Sequence, residues 1–96
     1  YLNGWGQQEP PERWTGGIEP PPGWDHWFGL IDPSTYQFYG YRVSDDGRER
    51  TFGTKPEDYQ TDVFGAEVER TIERAAGTGK PWFVMWTPVA PHNGKA

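Results

Sequence analysis

Residues Trp82-Phe83-Val84-Met85-Trp86 are apolar without a break, and this run limits the possible folds more than any other part of the sequence. Continuous apolar character suits a strand covered on both faces, as in a parallel sheet held between helix layers. The run follows a short loop, Gly77-Thr78-Gly79-Lys80-Pro81, and before that loop lies the strongest helix signal. Helix, loop and buried strand together read as the second half of a β-α-β unit. The first strand of that unit is not found. A parallel sheet is never one strand wide, so residues 1–96 are expected to be an internal segment of a larger α/β domain, truncated at both ends.

The helix is expected over residues 61–76. Phe64, Val68, Ile72 and Ala75 fall at spacings of four, four and three, which puts them on one face. Thr61 or Asp58 can cap its start, Asp62 and Glu67 suit the positive end of its dipole, and Gly77 suits a left-handed position just past its end. Glu69, Arg70, Glu73 and Arg74 read as a solvated outer face.

The chain upstream is richer in turns than in regular structure. Gln7 to Gly23 holds five prolines and three glycines, and Trp5, Trp14 and Ile18 point to a packed loop there rather than a linker. Residues 24–31 form an aromatic strand candidate that Asp32-Pro33-Ser34 breaks. Residues 35–52 read as a β-hairpin turning at Asp46-Gly47, a pair that accepts the positive φ angles of a type I′ turn. Its polar return strand, Arg48 to Phe52, belongs at a sheet edge. Aromatics make up 17% of the chain, which argues against disorder, while hydrophobic residues reach only 33%.

Charge and composition exclude several classes. A net charge of −5 with no basic cluster speaks against nucleic-acid binding. No stretch is long and apolar enough to suggest a membrane span. The absence of cysteine removes disulfides and thiolate metal sites. Thr78-Gly79-Lys80 lacks the first glycine of a phosphate loop and precedes a strand rather than a helix. Asp45-Asp46-Gly47 lacks the alternating ligands of a calcium loop.

Two histidines remain. His26 lies among Trp24, Trp27 and Phe28 and reads as an imidazole packed on aromatics with its polar tip satisfied; the sequence near it supplies no metal signature. His92 follows the apolar run, where open α/β sheets bind ligands beyond the carboxyl ends of their strands. Pro88 and Pro91 stiffen the backbone before it. At that place a histidine can act as a general acid or hold an anion. Position alone favours a surface histidine in a loop.

Several segments, taken in order, resemble sulfatases of the alkaline-phosphatase-like superfamily, in the branch of the N-acetylglucosamine-6-sulfatases and heparan endosulfatases. Tyr1-Leu2-Asn3-Gly4-Trp5-Gly6 is similar to the tail of their Gly-Lys-Tyr-Leu-Asn-x-Tyr-Gly motif. Pro21-Pro22-Gly23-Trp24-Asp25-His26-Trp27 resembles their Pro-Pro-Gly-Trp-x-x-Trp loop, and Tyr36 to Gly53 the Tyr-rich hairpin that follows. Asp58-Tyr59-Gln60-Thr61-Asp62 resembles their helix start. Lys80-Pro81-Trp82-Phe83 and Ala90-Pro91-His92 resemble their Lys-Pro-Phe-Phe strand and Ala-Pro-His end.

This resemblance implies a piece of a three-layer alkaline-phosphatase-like domain, made of an aromatic loop, a β-hairpin, a helix and a buried strand. It implies a parent enzyme that is a sulfuric ester hydrolase, acting on a sulfated small molecule or carbohydrate with a formylglycine nucleophile and a calcium ion. It implies a catalytic role for His92, which matches the family histidine that contacts the sulfate, and a substrate-binding role for Asn3. A secreted, periplasmic or lysosomal setting would suit such an enzyme. The Cys/Ser-x-Pro-x-Arg motif that yields formylglycine is not in this sequence, and the family's calcium carboxylates lie outside the matching segments. The chain by itself is therefore expected to be inactive, with the remainder of the same domain as its partner. Two other readings stand beside this one. A phosphoesterase of the same superfamily is the nearer. An aromatic-rich carbohydrate- or peptide-binding module is the other, although Val43-Ser44-Asp45-Asp46 stands where a proline-binding WW domain needs its second Trp.

Overall fold

The computed structural model describes residues 1–6 and 17–94. The segment containing Trp14 lies outside the described residues. Three short strands, β1 (Phe28–Leu30), β2 (Arg42–Asp45) and β3 (Arg48–Thr51), form one antiparallel sheet in sequence order. Phe28 faces Asp45 and Leu30 faces Val43 across the first pair, while Arg42 faces Thr51 and Asp45 faces Arg48 across the second. The long helix α1 spans Gln60–Ala76. Single 3-10 turns occupy Ser34–Tyr36 and Pro56–Asp58.

The hairpin closes at Asp46-Gly47 as its sequence requires, with φ of 52° and 94°. Every residue of β3 is exposed, as suits an edge strand. On one face of the sheet, Leu30, Tyr41, Val43 and Val89 make a buried cluster that Phe28, Phe52, Val63 and Phe64 extend. Tyr41 is fully buried; its ring stacks on Phe52 and its hydroxyl donates to the Asp58 carbonyl at 2.9 Å. Burial pushes the Tyr41 phenol well above its usual pKa, so it stays a donor. On the other face, Ser44 is buried under the loop at Ile18, to whose carbonyl it donates at 2.7 Å.

The hairpin is shorter than its sequence suggested. Gly40 and Tyr41 still bond Gly53 and Phe52 across the hairpin, but residues 35–39 do not extend β2, because the turn Ser34–Tyr36 is held by a different set of bonds. Ser34 Oγ donates to the Ile31 carbonyl at 2.6 Å and accepts from the Arg42 amide at 2.9 Å. The buried Gln60 side chain donates to the carbonyls of Thr35 and Gln37 at 3.1 and 2.9 Å. With these backbone groups already satisfied, a strand ladder has nothing left to offer them.

The helix begins and ends differently from expectation. Its N-cap is Tyr59, with no side-chain cap. Asp58 instead accepts from the Lys55 amide at 3.1 Å and closes the preceding turn. Gly77 keeps right-handed helical angles, φ −69° and ψ −13°. The Thr78 amide and hydroxyl both bond the Ala75 carbonyl, so the backbone reverses only at Gly79, whose φ is 72°.

The expected buried strand is not observed. Residues 82–86 have no regular secondary structure and pair with no strand among the described residues, and the exposures of Trp82 (50%), Phe83 (75%) and Met85 (61%) place them in solvent. The pairing among described strands is antiparallel throughout, so the parallel sheet implied by that run is not formed by this chain. The physical reason is the lack of a pairing partner: a strand exists only through bonds to another strand, and none of the described strands bonds to this run. The observed architecture is thus a small mixed α/β unit.

Candidate functional site

An open cleft of about 1320 Å³ separates the run 82–86 from the sheet and helix. Trp24, Phe28, Phe64, Val68, Phe83 and Trp86 are among the side chains that line it. His26 lines the cleft and His92 does not, and the two histidines have different surroundings.

His26 lies between three elements. Its Nδ1 is 2.8 Å from Asp46 Oδ2 in the hairpin turn, and its Nε2 is 2.7 Å from Glu67 Oε1 on α1. Asp46 Oδ1 also accepts from the Trp27 amide at 2.7 Å. Arg70 and Arg74 approach Glu67 at 2.9 and 3.6 Å from the solvent side. Burial alone would lower the His26 pKa, but bonds to Asp46 and Glu67 outweigh it and the net shift is upward. Burial likewise opposes ionisation of Glu67 and Asp46, yet Arg70 and His26 for the former, and the Trp27 amide and His26 for the latter, hold both carboxyls below their ordinary values. His26 is therefore a charged link joining the aromatic loop, the hairpin and the helix.

Sequence reading expected the polar tip of His26 to be satisfied, as it is, but did not name its partners, because Asp46 and Glu67 are distant in the chain. One candidate ligand group, His26 with Asp45 and Asp46, has donor atoms within 4.8 Å of one another. It does not fit calcium, which takes six to eight oxygen ligands. Both His26 nitrogens are engaged, and Asp45 is held by Arg50 at 3.0 Å.

His92 lies beyond the end of the run 82–86. Its amide donates to the Val89 carbonyl at 2.9 Å, and its Nδ1 donates to the Asn93 carbonyl at 2.6 Å. That bond fixes the proton on Nδ1 and leaves Nε2 as the nitrogen able to exchange a proton with a ligand. The imidazole is exposed, and its ring lies 5.0 Å from that of Tyr36 and 6.2 Å from that of Tyr1. The Tyr36 hydroxyl donates to Asn3 Oδ1 at 3.1 Å. Hydrogen bonding to Tyr1 raises the Tyr36 pKa, so the phenol remains protonated at neutral pH. The two residues singled out from sequence, His92 and Asn3, are thus gathered around one tyrosine. Tyr36 itself was read only as a strand position of the hairpin; no local pattern marks it, since its role arises from where the Ser34–Tyr36 turn sits in space.

The group provides a proton donor, an amide and phenol hydroxyls at an exposed edge. It can bind an anionic ester and protonate a departing oxygen, but it contains no nucleophile.

Comparison with known proteins gives the group a context. Over 72 residues, 75% of its length, the chain is 32% identical to an arylsulfatase of Volvox carteri, of which it spans 11%. Over 75 residues, 75% of its length, it is 41% identical to a Caenorhabditis elegans protein named as an extracellular sulfatase Sulf-1 homolog, of which it spans 10%. The chain therefore spans about a tenth of the length of the curated relatives it matches. These matches support a relationship to the sulfatase family. No family model and no solved structure matches the chain.

Proposed function

We propose that the chain is an internal segment of a sulfatase, and that its parent enzyme cleaves the sulfate ester of a carbohydrate. The convergence of His92 and Asn3 on Tyr36, within a chain similar to two sulfatases, carries this reading. His92, protonated on both nitrogens, donates the Nε2 proton to the ester oxygen as a nucleophile supplied by the remainder of the domain forms a new bond to sulfur and the bond from sulfur to the sugar oxygen breaks; the sugar leaves as a neutral alcohol and the sulfuryl group passes to that nucleophile. Asn3 offers its amide to the substrate while its carbonyl oxygen is held by Tyr36. Formylglycine and calcium do not fit the residues of this chain: it has no cysteine and no serine in the required motif, and the described residues form no oxygen cage for the ion. The segment contributes the proton donor and one wall of the site, and the remainder of the same domain contributes the rest.

The purified chain is expected to release no sulfate from 4-nitrophenyl sulfate or from a sulfated hexosamine, whereas the full-length parent releases it from both. Ion chromatography of free sulfate measures this. Turnover by the purified chain would overturn its assignment as an incomplete site. A parent that releases phosphate but no sulfate would favour the phosphoesterase.

A further inference from the structure

The His92 loop is exposed, and the bonds His92 makes to Val89 and Asn93 are local to that loop. Local bonds set the tautomer but do not fix where the loop sits relative to Asn3, which comes from the opposite end of the chain. Tyr36 supplies the common reference. The backbone on either side of it is anchored, through Ser34 to Ile31 and β2 and through the buried Gln60 to α1. Its ring packs against the imidazole at one side and meets the Tyr1 ring edge-on at 5.5 Å. Its hydroxyl holds Asn3. The backbone after His92 also passes directly over this seat. A Cβ on Gly94 would fall 2.8 Å from the Tyr36 carbonyl oxygen and 2.5 Å from the Phe38 ring, so only glycine allows that approach.

Resting on the sulfatase reading above, we propose that Tyr36 is a positioning residue: its ring seats the His92 imidazole and its hydroxyl seats Asn3, which sets proton donor and substrate-binding amide in register. A proton donor matters most when the leaving oxygen is a poor leaving group, as in a sugar alcohol, and least for a nitrophenol. A purely structural residue would affect both kinds of ester alike.

The test uses the full-length parent enzyme with 4-nitrophenyl sulfate and a sulfated hexosamine. Tyr36→Ala is expected to lower kcat on the sugar sulfate by about 10- to 100-fold, and on the nitrophenyl ester by less than about threefold. Tyr36→Phe keeps the ring, so kcat is retained on both and KM rises with the loss of the Asn3 bond. Equal losses on both esters, or no loss on either, would overturn the proposal. Should Tyr36→Ala not fold, Tyr36→Phe, Asn3→Ala and the double variant decide it. Effects on KM that fail to add support the shared seat, and additive effects sink it. His92→Ala separates the two levels of argument. A leaving-group-dependent loss there without one in Tyr36→Ala refutes the positioning role alone. No such loss in His92→Ala, or no sulfate release by the wild-type parent, removes the sulfatase assignment of His92 and this proposal with it.

Discussion

His26 and His92 show how differently one residue type can be used within a single small unit. His26 bonds carboxylates through both ring nitrogens, whereas His92 has one nitrogen fixed by a carbonyl and the other left for chemistry. The pH behaviour of the His26 link follows from its three shifts. With its folded pKa raised above 6.5, His26 stabilises fully below that value, and the contribution is lost as pH rises through the raised folded pKa. Glu67 and Asp46, lowered from 4.5 and 3.8, contribute above those values and lose their contribution as pH falls through the lowered folded ones. The link is whole between pH 4.5 and 6.5. His26→Ala is expected to cost about 1 kcal/mol in that window, partial exposure screening the larger value of a buried pair. The gap in melting temperature from wild type should narrow as pH rises beyond it; a gap independent of pH between 5 and about 9 would contradict the charged link. The ordered motifs around His92 are what singled it out in the sequence. The sequence concealed the partners of His26, since contacts across 20 and 41 positions leave no local pattern.

Among the elements, the hairpin turn and the helix were the most legible, because their signals are local: positive φ at Asp46-Gly47 and an apolar face at helical spacing. The helix face is only half used. A helix of 17 residues is roughly 26 Å long, about twice the span of a four-residue strand. Phe64 therefore meets Phe28 at 4.8 Å, while Ile72 overhangs and is exposed. The two turn glycines separate cleanly in what they require. Gly47→Ala places a side chain at φ 94° and is expected to destabilise by about 1 kcal/mol or more. Gly77→Ala, at right-handed helical angles, is expected to be neutral or to stabilise by about 0.5 kcal/mol. Urea unfolding of both variants checks the pair; a larger loss at Gly77 than at Gly47 would restore the left-handed helix end that its sequence suggested.

At the scale of the whole molecule, the run 82–86 carries the clearest message. Its continuous apolar character was read as a buried strand, and neither strand nor burial is observed, because both depend on neighbours that a local pattern cannot supply. Phe83 and Met85 stand in solvent beside the open cleft. Monomeric proteins rarely leave such contiguous apolar surface uncovered. The chain is accordingly expected to bind the dye 8-anilinonaphthalene-1-sulfonate and to self-associate at high concentration. Phe83→Ser with Met85→Ser should reduce both, as followed by fluorescence and light scattering, with the helical circular dichroism retained. Undiminished dye binding would locate the exposed apolar surface elsewhere.

The seat beneath His92 has one more consequence. Ser34 and Gln60 hold backbone atoms rather than particular side chains. The shape of the turn is thus insulated from the identity of the residue it presents at position 36. Substitutions there can change what stands beside the imidazole while the scaffold stays as it is. Such a separation of support from presentation makes position 36 a place where new chemistry could be explored by single replacements that keep an aromatic ring against the buried cluster.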